Sequence, residues 1–166
     1  MPKLVLVIDD ERPIRELVST LLTEEGWPVQ TYSSALSALQ AITSGAITPD
    51  VILLDMRMPG MDGPQFAEVL RQHSPNTPIV VMTAARDARQ WAEAISAAGY
   101  LPKPFDIDWV IDTVTGIIGP PEDGHDGAHR FALLPLAPLI QEKVRAWAER
   151  SKMAPTPAPL AVPIGS

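Results

Sequence analysis

An α/β fold, a doubly wound sandwich around a parallel sheet, is the architecture this sequence predicts, on three observations. Strand-like runs alternate five times with amphipathic helical patterns over residues 1–119. The runs are continuously apolar rather than alternating, as in strands covered on both faces. Each run is followed by turn punctuation and then by a helix-period stretch, the repeated β-α order that winds into a parallel sheet.

Taken in chain order, Leu4–Ile8 is the first strand run. Pro13 falls where a first-turn proline is tolerated, and a helical pattern over Ile14–Glu25 follows, closed by Gly26. Val29–Tyr32 leads into a helix over Ala35–Thr43, with Ser33 or Ser34 as its N-cap and Gly45 after its end. Val51–Leu54 precedes a helix over Gln65–Gln72 that Asp62 can cap. Ile79–Met82 precedes a helix over Ala88–Ala98, and Gly99 occupies the place expected of a left-handed terminating residue. The fifth run, Tyr100–Leu101, is short, and Asp106 can cap the last helix, Ile107–Ile118. On that helix Ile107, Val110, Ile111, Val114 and Ile118 form the core stripe. Trp109 lies opposite, beside Asp112, Thr113 and Gly116, either as a solitary exposed aromatic or as an interface anchor.

The composition changes at Gly119. Residues 120–166 hold 8 of the 18 prolines, which argues against a single packed unit there. The expected organisation is one domain over 1–119 and a Pro-rich linker and tail over 120–166. PPEDGHDGA (120–128) reads as an acidic linker, residues 138–152 as a helix with Ile140, Val144 and Trp147 on one side, and the last stretch as extended chain. Residues 129–152 carry a net +3, so this helix either docks on the acidic first part, near Trp109, or is a solvated appendage or a contact for another protein.

Several function classes are disfavoured. With no cysteine there is no disulfide framework and no thiolate ligand or nucleophile. No apolar run approaches the ~20 residues of a membrane helix, and a soluble, cytoplasmic protein is the expectation. Residues 1–119 contain 15 acidic and 8 basic residues and so carry the whole net charge of −7, which argues against a phosphate-backbone surface there.

The chemistry-bearing residues sit at the carboxyl ends of the strand runs, where ligands bind in open α/β sheets. Asp9 and Asp10 follow the first run, Asp55 the third, Thr83 the fourth and Lys103 the fifth. Two carboxylates ~5 Å apart at an effective dielectric of ~20 repel by about 3 kcal/mol, so the set calls for a cation. All-oxygen ligands of this kind suit Mg²⁺. Asp55 is the natural nucleophile for phosphoryl transfer, since carboxylates form acyl phosphates. Taken alone, Asp9 and Asp10 could merely favour the start of the first helix.

Four ordered motifs, VLVIDDE (5–11), VILLDMRMPGMDG (51–63), VVMTA (80–84) and AAGYLPKPF (97–105), closely resemble the response-regulator receiver domain of two-component signalling. The resemblance covers about residues 3–118. It implies a flavodoxin-like sheet of order 2-1-3-4-5 with five helices. It further implies phosphorylation of Asp55 by a histidine kinase or histidine phosphotransfer protein. Mg²⁺ would be bound by Asp10, Asp55 and the backbone carbonyl of Arg57, with Asp9 acting through water. Lys103 would contact the phosphoryl oxygens, the Lys103–Pro104 bond would be cis, and Thr83 and Tyr100 would be the switch pair that reshapes the α4-β5-α5 face. None of the six side-chain positions departs from the family pattern. Arg57 and Ala85, two residues beyond Asp55 and Thr83, occupy positions whose side chains flank the path of hydrolytic water, and Arg57 would help set the lifetime of the phosphorylated state.

The expected function is thus a phosphorylation-activated regulator, not an enzyme beyond its own phosphorylation and dephosphorylation, that signals by protein contact. A phosphorylation-dependent homodimer is among its expected partners. Two alternatives stay open: a DNA-binding transcriptional regulator with a short output segment, and a Mg²⁺-dependent phosphatase of similar topology. Against the first, the tail offers one helix where helix-turn-helix readers need two.

Overall fold

The computed structural model describes residues 2–84 and 86–122. The chain runs β1 (Val5–Ile8), α1 (Arg12–Glu24), β2 (Val29–Tyr32), α2 (Ala35–Thr43), β3 (Val51–Asp55), α3 (Gly63–His73), β4 (Ile79–Ala84), α4 (Ala88–Ala94), β5 (Gly99–Lys103) and α5 (Ile107–Ile118). The five strands form one parallel sheet of order β2-β1-β3-β4-β5, as expected.

Two apolar layers follow from the side-chain alternation of the strands. Val5, Val7, Val51, Leu53, Val80 and Met82 pack against α1 and α5. Leu6, Ile8, Ile52, Leu54, Ile79 and Val81 face α2, α3 and α4. Right-handed crossovers explain the division. The step from β1 to β2 runs one way along the sheet and places α1 on one face. The steps from β2 to β5 run the other way and place α2, α3 and α4 on the opposite face. The inner strands β1 and β3 are buried at every position. β2 is not: Gln30 and Thr31 are exposed, because β2 is an edge strand with one neighbour. The expectation of uniformly covered strands fails there.

The caps follow local chemistry. Ser34, rather than Ser33, accepts from the Ser37 amide at the start of α2. Asp62 and Gln65 form a reciprocal capping box on α3, and the Asp106 carboxylate accepts from the Asp108 and Trp109 amides on α5. α4 ends four residues earlier than its apolar pattern suggested. The residue with positive φ there is Ser96 (φ 52), not Gly99, which is already the first residue of β5. The physical reason lies outside the helix: the Arg71 guanidinium, from α3, donates to the carbonyls of Ile95 and Ser96 and satisfies the helix end.

Gly63 opens α3 for a steric reason. A Cβ there would lie 2.6 Å from Met56 Sδ and 2.8 Å from Met56 Cα, and Met56 directly follows Asp55. Gly63→Ala is therefore expected to destabilise the fold by about 1–3 kcal/mol, the usual range for overpacking. A urea unfolding midpoint equal to that of the parent would contradict this close approach.

Candidate functional site

Parallel pairing in this register brings the strand ends together. Ile8 is paired with Leu54, so Asp9 and Asp55 extend side by side from β1 and β3. Asp55 pairs with Met82, and Ala84 with Lys103, which carries β4 and β5 to the same edge. The edge lies where strand order reverses on either side of β1, the place where open α/β sheets bind ligands.

Among the described residues, the buried polar or charged side chains are four: Asp9 at 0% exposure, Asp55 at 4%, Thr83 at 2% and Lys103 at 7%. All four come from this one edge. The Lys103 ammonium donates to Asp9 Oδ2 at 2.7 Å and stands 3.7 Å from Asp55 Oδ2 and 3.8 Å from Glu11 Oε1. Asp9 Oδ1 accepts from the Glu11 amide at 2.9 Å, and Asp55 Oδ1 accepts from the Arg57 amide at 3.1 Å. Asp10 is exposed, yet one carboxylate oxygen from each of Asp9, Asp10 and Asp55 lies within 4.8 Å of the others. The Lys103–Pro104 peptide bond is cis.

Charge does not balance in this notch. Burial raises the Asp55 carboxyl to about 8; Lys103 and the Arg57 amide oppose the rise, while Asp9 and Asp10 add to it. Burial alone would lower the Lys103 ammonium, but attraction to Asp55 and Asp9 and the hydrogen bond to Asp9 more than reverse this and raise its pKa. The lysine stays charged, fixed chiefly on Asp9, and Asp55 is left short of positive charge. A hard divalent cation fits that deficit. The donors are all carboxylate oxygens, clustered without cysteine or histidine, the ligand type Mg²⁺ prefers.

The remaining expected residues are more dispersed. Tyr100 lies on β5 opposite Val81, two residues along from the pairing of Thr83 with Pro102. Its half-buried ring meets Trp109 edge-on, with centroids 6.1 Å apart. Trp109 is 45% exposed on the outer side of α5. Trp147, the helix expected over 138–152 and Ala85 lie outside the described residues.

Sequence reasoning missed three participants. Glu11 approaches Lys103 from the start of α1. Arg15, one helical turn further on, donates to the carbonyls of Asp9 at 2.8 Å and Asp10 at 3.1 Å and so holds the β1–α1 turn. Asp87 pairs with Arg57 across two loops. Acid-rich spacing hinted at Glu11; nothing local marked Arg15 or Asp87.

A family model described as the response regulator receiver domain matches residues 5–115. The DNA-binding transcriptional regulator NtrC of Klebsiella pneumoniae is 36% identical over 138 residues, 82% of this chain and 29% of that protein. Response regulator MprA of Mycolicibacterium vanbaalenii is 32% identical over 151 residues, 87% of this chain and 64% of that protein. The chain thus spans less than two thirds of the length of these curated relatives. Among solved structures, the Vibrio cholerae chemotaxis protein CheY4 aligns with a TM-score of 0.63 and 31% identity, over 71% of this chain and all of that one. Response regulator TrrA of Thermotoga maritima, in complex with Mg²⁺ and BeF, aligns with a TM-score of 0.62 and 29% identity, over 70% of this chain and 99% of that one.

Proposed function

The chain belongs to the response regulator receiver domain family, and from that premise we propose that it is a phosphorylation-activated switch that accepts a phosphoryl group on Asp55. The donor is a histidine kinase or a histidine phosphotransfer protein. One observation carries this reading: the four buried polar side chains among the described residues converge on a single sheet edge with Asp55 among them.

The chemistry follows from the groups present. A carboxylate oxygen of Asp55 attacks phosphorus as the P–N bond of a phosphohistidine breaks. The imidazole leaves with the bonding pair and regains a proton from solvent. The protein's part is positioning and charge neutralisation. The Arg57 amide orients Oδ1 of Asp55, and Lys103, anchored on Asp9, offers its ammonium to the phosphoryl oxygens. Mg²⁺ would be held by Asp10, Asp55 and the Arg57 carbonyl, with Asp9 acting through water, and would offset the negative charge of the transferred group. Thr83 answers the phosphoryl group with its hydroxyl, and Tyr100 turns on the neighbouring strand. The α4-β5-α5 face, with Trp109 on it, is the output surface.

In this reading residues 1–119 are the receiver and residues 120–166 a linker and tail without catalytic role. Trp109 and Trp147 are its candidate interface anchors. Output is a protein contact rather than turnover of a substrate. A second reading, direct DNA binding, has one observation in its favour, the description of the relative NtrC as a DNA-binding transcriptional regulator. A gel-shift titration of the phosphorylated chain separates the two.

The test of the main reading is incubation with acetyl phosphate or phosphoramidate and Mg²⁺, followed by intact mass and peptide mapping. The expected result is one phosphoryl group on the peptide bearing Asp55, removed by hydroxylamine as an acyl phosphate is. No mass gain, or an adduct on a hydroxyl residue, refutes it.

A further inference from the structure

Arg57 reaches in two directions. Its amide is on the pocket side, donating to Asp55 Oδ1 at 3.1 Å, while its guanidinium Nη2 lies 2.6 Å from Asp87 Oδ2, just before α4. Asp87 also has the Arg86 Nε 3.8 Å from its other oxygen. Although aspartate is a favoured N-cap, the Asp87 carboxylate accepts no hydrogen bond from the amides of α4. Its closest charged contact is instead the arginine two residues beyond the proposed phosphoacceptor.

We propose that the Arg57 guanidinium is a phosphoryl-oxygen ligand, and that Asp87 is a positioning residue that holds it outside the pocket until a phosphoryl group competes for it. The inference rests on Asp55 as the phosphoacceptor. Three physical differences favour the exchange. A phosphoryl group carries roughly −1.5 to −2 charge against a single charge on Asp87. Its oxygens match the planar fork of a guanidinium, and two parallel hydrogen bonds form where one stands now. The Arg57 and Asp87 side chains are 40% and 23% exposed, so water weakens the existing pair, whereas the pocket is buried and screens less. When Arg57 turns inward, the segment ahead of α4 loses its tie to the β3–α3 loop. Phosphorylation then reaches α4 by a route separate from Thr83 and Tyr100.

The test uses the full chain and beryllofluoride with Mg²⁺ as the phosphoryl mimic. Affinity is read by calorimetry, and the Arg57 Nε–H resonance by NMR. Asp87→Asn removes the competitor and is expected to bind the mimic about 2–5-fold tighter, the equivalent of one exposed ion pair. Arg57→Gln is expected to bind it about 10-fold more weakly, the equivalent of one charge-assisted hydrogen bond. In the Arg57→Gln background, Asp87→Asn changes nothing further. Weaker binding by Asp87→Asn, or a gain that persists without Arg57, means that Asp87 merely shapes the loop and overturns the proposal. If the parent chain binds the mimic but the Arg57 resonance does not move, the proposal alone falls. If the parent does not bind it at all, the phosphoacceptor reading falls first and takes this inference with it.

Discussion

In the Asp55→Asn variant phosphoryl uptake is expected to drop to nothing, while the metal-free fold is expected to become more stable at neutral and alkaline pH. The first effect is chemical, since an amide oxygen cannot form the acyl phosphate. The second follows from burial. The Asp55 carboxyl is raised from 3.8 to about 8, first by desolvation and then by Asp9 and Asp10, against the pull of Lys103 and the Arg57 amide. Below pH ~4 the folded and unfolded chains both hold this proton, and it costs no stability. Between that point and pH 8 the unfolded chain has released the proton and the folded chain keeps it, so stability falls as pH rises. Above about 8 both have released it and the loss is complete. Asparagine lacks this slope. A shift of this size sets a ceiling of about 6 kcal/mol, and relaxation of the pocket brings the expected gain at pH 8.5 to about 2–3 kcal/mol. Urea midpoints of both proteins at pH 5 and pH 8.5 without metal measure it. A stability difference that stays constant across that range contradicts the assignment. Mg²⁺ is expected to narrow the difference and to release a proton from the parent chain as it binds.

Lys103→Met is expected to cost about 3–5 kcal/mol in the absence of metal, the usual penalty for removing one partner of a buried ion pair. Lys103 is the closest cation to Asp9, which is fully buried, and to Asp55, and methionine matches its stem without its charge. Without the ammonium, Asp9, Asp10 and Asp55 face one another uncompensated. The loss should shrink markedly in millimolar Mg²⁺, because a divalent ion held by these carboxylates would supply the missing positive charge. Calorimetric melting with and without Mg²⁺ distinguishes the electrostatic account from simple loss of packing. An equal loss under both conditions leaves packing as the explanation.

How much of this was legible in the chain differs from element to element. Val51–Leu54 and Ile79–Met82 read as buried strands because each apolar run is itself the buried surface. α2 and α5 were bounded correctly because their signals, Ser34 and Asp106 at one end and a 3.6-residue apolar stripe along the length, are local. Asp9, Asp55, Thr83 and Lys103 stood out because each terminates or follows a strand run, and a parallel sheet delivers all such ends to one edge. The cut-off of α4 was invisible because the carbonyl of its C-cap residue, Ile95, is satisfied by Arg71, 24 residues away. On β2 the apolar run is broken by Gln30 and Thr31, and these polar residues are the exposed ones on that edge strand.

Unaided, the amino-acid order specified the α/β class, the sequence of elements and the group of acids, hydroxyl and lysine at the strand ends, because periodicity, capping and turn chemistry act over a few residues. Only the packed structure decided that Lys103 rests on Asp9 across 94 positions, that burial holds the Asp55 carboxyl high despite the nearby ammonium, and that Arg57 is shared between the pocket and Asp87. Those are matters of distance and dielectric, which exist only once the strands lie side by side and water has been excluded from the notch between them.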